Sequence, residues 1–446
     1  MHTLAKRKGR LTQMPIGNRN SPHQKGNEIR GKGLLDPVLR GLIRHGSLRL
    51  IDWRGSSDTY GDGQEEEIVI RIHDQKTGWR LLLDPQLEAG EAYMEGRLTI
   101  EQGTLHDFLD LLFRSIGLKA LQYPMSGITE RLRDLMRGFQ QFNPVARSLR
   151  NVAHHYDLSD NLYALFLDAD RQYSCGYFAT GEETLEECQE LKKLHIAAKL
   201  VLRPGDRVLD IGSGWGGLGL TLAGKFGADV TGLTLSTEQH AHANLRAFHA
   251  GLADRLRFEM RDYRHEARSY DRIVSVGMFE HVGVNHYGEF FRKISELLRE
   301  DGVALIHSIG RPEGPGHTNP WIAKHIFPGG YSPALSEVLP AIEKAGLFVT
   351  DIEILRMHYA DTLRLWRERF EARREEIRGL YDERFCRMWE FYLVTSELSF
   401  RHQGQMVFQI QLAKRPDVVP ITRDYIHSFE AENSVQEAAL TRPSAA

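Results

Sequence analysis

Val208-Leu209-Asp210-Ile211-Gly212-Ser213-Gly214-Trp215-Gly216-Gly217 is the stretch that decides the fold of this chain. Residues 208–211 are apolar apart from one acid, the composition of a buried strand. Glycines follow at 212, 214 and 216, and Leu218-Gly219-Leu220-Thr221-Leu222-Ala223 opens a helix. A strand, a glycine turn and a helix present bare backbone at a helix N-terminus, which suits a nucleotide-like cofactor. The dinucleotide fingerprint G-x-G-x-x-G spaces its last two glycines three apart. Here they are two apart, and Asp210 precedes the first.

That variant, D-x-G-x-G-x-G, resembles the S-adenosylmethionine (SAM) pocket of Rossmann-like methyltransferases. The flanking pattern supports a sheet of that kind. Strand candidates fall at Arg207–Ile211, Asp229–Leu233, Leu256–Met260, Arg272–Val276, Val303–Ile309, Val349–Leu355 and Met406–Leu412. Helical periodicity separates the first five, which predicts a parallel, doubly wound α/β sheet of seven strands.

Before it, Leu34 to Ile43 reads as a basic amphipathic helix. Short strands are expected at Ser47–Trp53, Glu67–His73, Trp79–Leu83 and within Glu91–Ile100, then a helix over Thr104–Leu118. Residues 34–120 thus form a small α+β domain with no clustered acids or histidines. Residues 121–150 read as a linker with a second basic amphipathic helix, 151–415 as the catalytic domain and 416–446 as a flexible tail.

A chain of 446 residues is expected to hold two domains. No run approaches the length of a membrane span. Cys175, Cys188 and Cys386 lack C-x-x-C spacing, so no metal is expected and a reducing cytoplasm is the default. The net charge of −3 hides an asymmetry: residues 1–50 carry eleven Lys/Arg against Glu28 and Asp36, or +9. Residues 1–33 read as a disordered basic arm suited to a polyanion.

Ligands of open parallel sheets bind at the carboxyl ends of the strands. Gly212 to Gly217 follow the first strand. Thr234 and Gln239 follow the second, where Leu233 stands in place of the usual ribose-binding acid. Tyr263 and Arg264 follow the third, placed to hold an adenine. Glu280 follows the fourth and His307 lies at the end of the fifth. Tyr173-Ser174-Cys175-Gly176-Tyr177 precedes the sheet as a possible lid.

His154-His155-Tyr156-Asp157, Tyr173-Ser174-Cys175-Gly176-Tyr177, Gly277-Met278-Phe279-Glu280-His281-Val282-Gly283, His307-Ser308-Ile309-Gly310, Phe327-Pro328-Gly329-Gly330 and His358-Tyr359 occur in order. Together they resemble the cyclopropane-fatty-acyl-phospholipid synthases. The resemblance implies transfer of a methylene from SAM to a cis double bond of a phospholipid acyl chain, through methyl transfer, a carbocation and deprotonation. It implies bicarbonate as the base, held by the backbones of Cys175 and Ile309 and by the side chains of Glu280, His307 and Tyr359. It implies SAM contacts at Tyr173, Ser174, Asp210, Gly212, Gly214, Gly216, Thr234, Gln239, Tyr263 and Arg264. Tyr177, Phe279 and Trp366 are candidates to face the cation. The implied partners are an unsaturated phospholipid and an anionic membrane surface rather than nucleic acid, with the protein a homodimer on the inner face of the membrane. Methylation of the same alkene without ring closure, and small-molecule N-methylation, are the alternatives. Ser396 stands where many relatives have a cysteine, which puts a thiolate role there in doubt.

Overall fold

The computed structural model describes residues 34–117 and 160–440. The expected basic arm, the 121–150 linker and the His154–Asp157 motif lie outside the described residues.

The small domain is built on a four-stranded sheet: β1 (Ser47–Ile51), β2 (Ser57–Gly61), β3 (Ile68–Ile72) and β4 (Leu98–Gln102), in the order β2-β1-β3-β4. The strand expected at Trp79–Leu83 is instead the helix Gln75–Leu83, and Pro85–Met94 is a second helix. Short apolar runs fit either period; the caps decide. Asp74 accepts from Thr77 N at 2.9 Å, and Asp84 accepts from Leu87 N at 3.3 Å with Pro85 opening the next helix.

This domain packs on the helix Glu383–His402. Tyr93 Oη donates to Glu390 Oε2 at 2.7 Å, His402 Nε2 lies 2.7 Å from Asp110 Oδ1, and one apolar cluster runs through both domains.

The larger sheet contains β5 (Arg207–Ile211), β6 (Asp229–Thr234), β7 (Leu256–Met260), β8 (Tyr270–Val276), β9 (Leu298–Gly310), β10 (Phe348–Leu355) and β11 (Met406–Ala413), in the order β10-β11-β9-β8-β5-β6-β7. All seven expected strands are present. β7, β6, β5, β8 and β9 run parallel, whereas β11 is antiparallel to both β9 and β10. Strand order reverses about β5, which places a switch-point crevice beside the glycine turn. Val208 and Leu209 are fully buried, as a strand covered on both faces requires.

Gly216 begins the helix Gly217–Gly224 with φ 85°, and a Cβ there would lie 2.7 Å from Phe258 Cζ and 2.9 Å from Ala243 Cβ. Gly216→Ala should therefore cost about 2–4 kcal/mol in denaturant unfolding, from left-handed strain plus overpacking. An unchanged midpoint would show that the turn can shift freely.

The expected flexible tail is corrected over Asp424–Leu440, which is a helix. Ile426 is buried and Phe429 packs against Phe226 with centroids 5.4 Å apart. The apolar residues are few, and polar contacts described below supply the rest of its anchorage.

Candidate active site

A cavity opens at the carboxyl ends of β5, β6 and β8, lined by Tyr173, Ser174, Asp210, Gly212, Gly214, Thr234, Gln239, Tyr263 and Arg264 among others. Nine of the ten expected cofactor residues thus converge. Gly216 is the exception: it does not line the cavity, and its missing side chain makes room for Phe258 and Ala243. Gly214 has φ 53°, and a Cβ there would meet no described atom within 4 Å, so the turn leaves open space beside its backbone.

Two buried polar atoms in this cavity lack a hydrogen-bond partner among the described residues: Gln239 Nε2, a donor, and Asp210 Oδ2, an acceptor. Gln239 Oε1 accepts from the Thr234 hydroxyl at 2.9 Å, which fixes the amide. Burial pushes the Asp210 carboxyl up to about 7, with the Lys192 cation opposing. Buried groups of this kind need partners, and the set fits a ligand carrying an amine and hydroxyls, as SAM does. Arg264 is pinned by Asp262 at 2.7 and 2.9 Å and lies 5.6 Å over the Tyr263 ring, forming one wall.

The cavity also holds residues absent from the sequence expectations. Lys192 is buried and donates to Gln172 Oε1 and Ser174 Oγ, both at 2.7 Å, and Gln189 Nε2 donates to Ser174 O at 2.9 Å. Burial lowers the Lys192 ammonium to about 8 while Asp168 works the other way. Gln189, Lys192, His195 and Lys199 form a buried polar stripe at helical spacing on Leu185–Lys199. That spacing was the legible signal. His281 also lines the cavity, its imidazole lowered to about 4 by burial.

The second group of expected residues lies beside this cavity. Glu280 is buried; its Oε1 accepts from Ile309 N at 2.7 Å, and its Oε2 has no partner among the described residues. Burial pushes its carboxyl up to about 7, opposed by the Ile309 amide. His307, two residues earlier on the same face of β9, is held by Gln409 Nε2 at 3.2 Å from its Nδ1. Burial and the Lys192 and Lys199 cations lower its imidazole to about 3, so it is neutral. Cys175, Tyr359 and Trp366 belong to one buried apolar cluster, against which Ile309, Tyr173 and Tyr177 also pack.

Three expectations are refined by this geometry. The Ile309 amide, expected to hold an anion, donates to Glu280 instead, because a buried carboxylate takes the nearest donor. Cys175 is a neutral thiol, its pKa pushed far up by burial, so its side chain offers no thiolate. Phe279 does not face the cluster of Cys175 and Tyr359. It is fully buried in a separate core, stacked on Tyr287 at 4.5 Å. Tyr173 stacks on Trp366 at 5.1 Å and its hydroxyl meets that of Tyr392 at 2.9 Å. Tyr359 sets its ring edge-on to Trp366 at 5.8 Å and to Phe400 at 5.0 Å. Ser396 lies part-buried on Glu383–His402.

The switch-point cavity, its glycine turn and its orphaned polar atoms on this sheet define a SAM-dependent methyltransferase. Comparison with known proteins narrows the class. The family model for mycolic acid cyclopropane synthetase matches residues 144–410, and the chain belongs to that family. A domain family of unknown function matches residues 45–117. The chain is 34% identical over 349 residues to the cyclopropane-fatty-acyl-phospholipid synthase of Escherichia coli K12, covering 77% of this chain and 87% of that one. It is 39% identical over 400 residues to the tuberculostearic acid methyltransferase of Mycobacterium tuberculosis, covering 84% and 90%. Among solved structures it resembles a mycolic acid cyclopropane synthase complexed with SAH and CTAB. The TM-score is 0.57 at 33% identity, over 61% of this chain and 99% of that one.

Proposed function

We propose that the protein transfers a methylene from SAM to the cis double bond of an unsaturated phospholipid acyl chain, giving a cyclopropane fatty acyl chain. The observation that carries this reading is Glu280: a buried, half-satisfied carboxylate beside a neutral His307, between the cofactor cavity and an aromatic cluster. An alkene needs no heteroatom base to activate it, but the cation it forms must lose a proton in a dry site.

SAM supplies the methyl group as an electrophile. Tyr173, Ser174, Lys192, Asp210 and Gln239 would hold it. The Tyr173–Trp366 stack offers aromatic surface that stabilises a cation and excludes water, whereas Tyr177, expected to face the cation, has its ring stacked by His195 at 4.1 Å and His358 at 5.0 Å. Glu280 Oε2 accepts, while the imidazole of His307 and the hydroxyl of Tyr359 donate, a set that suits a bicarbonate ion as proton acceptor. Reorientation of Glu280 would free the Ile309 amide for the same ion. Attachment to an anionic membrane through the basic N-terminal residues, at the inner face and as a dimer, completes the proposal. No helix among the described residues is long and apolar enough to cross a membrane.

A second reading is methylation of the same alkene without ring closure, favoured by the relative named tuberculostearic acid methyltransferase. The two differ in the fate of the cation: loss of a proton from the new methyl closes the ring, whereas a 1,2-hydride shift before that loss leaves a methylene branch, which only a separate hydride donor would reduce to a methyl branch. Incubation with SAM and liposomes of cis-unsaturated phospholipid should yield acyl chains one CH₂ heavier. Gas chromatography against cyclopropane, methyl-branched and methylene standards then separates the readings. Absence of any new acyl chain would sink both.

A further inference from the structure

The family match ends at residue 410, yet the chain continues into the helix Asp424–Leu440. This helix reaches the buried polar stripe of Leu185–Lys199. Glu430 Oε1 lies 2.6 Å from His195 Nδ1, and Glu353 Oε2 on β10 lies 2.9 Å from His195 Nε2. Carboxylates at both edges fix the plane of a buried imidazole. Arg423, just before the helix, adds contacts to Asp351 at 3.1 Å and Glu353 at 3.3 Å. Lys199, itself fully buried, lies 3.1 Å from the same Asp351 and 2.5 Å from Glu353.

The face of His195 carries Tyr177, with ring centroids 4.1 Å apart and planes 14° from parallel. Tyr177 also stacks on His358 at 5.0 Å. His358 Nδ1 accepts from Phe178 N at 3.0 Å, and His358 is the residue before Tyr359. The same segment is tied by Tyr177 N donating to Cys188 O at 2.8 Å and Gly176 N donating to Thr362 Oγ1 at 3.0 Å. A chain of contacts therefore runs from the C-terminal helix through His195 and Tyr177 to His358, and Cys175 and Tyr359 are the near chain neighbours of its last two members.

We propose that Glu430 is a positioning residue for the substrate side of the site: it holds His195 flat beneath Tyr177, and that stack sets the Cys175–Tyr177 segment and Tyr359. The helix lies beyond the residues that the family model matches. The role of Glu430 rests on the reading of the Cys175–Tyr359 cluster as the substrate side, and the test separates the two.

The test compares the full-length wild type with Glu430→Gln, Glu430→Asp and Phe429→Ala. Glu430→Gln should speed amide hydrogen exchange at Tyr177 and Phe178 about tenfold, the effect of losing one charge-assisted bond. Exchange at 212–215 and SAM affinity should stay as in wild type, while kcat on lipid falls about five- to tenfold. Glu430→Asp, which keeps the charge, should recover part of both losses. Phe429→Ala removes the contact with Phe226 but keeps the Glu430 carboxylate, so Tyr177 exchange should rise less than in Glu430→Gln. Unchanged exchange in Glu430→Gln, equal acceleration by Phe429→Ala, or faster exchange with undiminished kcat would each overturn the proposal. If the wild type makes no lipid product, the functional reading fails, while the exchange data alone still decide whether Glu430 orders the segment.

Discussion

Glu280→Gln is expected to lower turnover about 10³-fold, the scale of a lost acid–base or positioning group, with SAM affinity within a few-fold of wild type. The amide can keep the Ile309 N–H bond through Oε1, so the backbone should stay in place. What it loses is the anionic charge and the acceptor at Oε2. Its stability should move the other way. The Glu280 carboxyl is raised by burial from an ordinary 4.5 to about 7. The stability linked to its proton is full below about pH 4.5 and is lost as pH rises through 7. Glu280→Gln should therefore match wild type near pH 4 and exceed it at pH 8 by up to about 3 kcal/mol. Denaturant unfolding at both pH values, with calorimetric titration of SAM, measures all three effects. Collapse of SAM binding would make Glu280 a cofactor residue and remove it from the proton's path.

Lys192→Met should weaken SAM binding about 10- to 100-fold, since hydrogen bonds to charged groups contribute roughly 1.5–3 kcal/mol. Methionine keeps the apolar stem, so the change isolates the ammonium. Without it, Gln172 Oε1 and Ser174 Oγ lose their shared donor, and Asp210 loses the cation that offsets its burial. The loss should appear in the SAM dissociation constant and in KM for SAM, with kcat at saturation much less altered. An unchanged dissociation constant would place Lys192 outside the cofactor site.

The larger sheet was legible because its strands are buried on both faces and separated by amphipathic helices, so period and composition agree. The small domain was less so. Trp79 to Leu83 is apolar enough for a strand, and only the Asp74 and Asp84 caps turn the region helical. The C-terminal helix was missed for a different reason. Its anchorage is largely ionic, through Glu430 and the preceding Arg423, and their partners His195, Asp351 and Glu353 lie far away in the chain.

The glycine turn, the parallel sheet and the strand ends that carry Thr234, Glu280 and His307 follow from local period and turn chemistry, which act over a few residues. That Gly216 makes room for Phe258, that Phe279 is core and that Lys192 reaches Ser174 came from long-range packing. So did the capture of the Ile309 amide by Glu280. Each of these depends on which buried polar atom or ring finds a partner distant in the chain. Burial makes an unmet donor or acceptor costly, and only the folded packing fixes which groups meet.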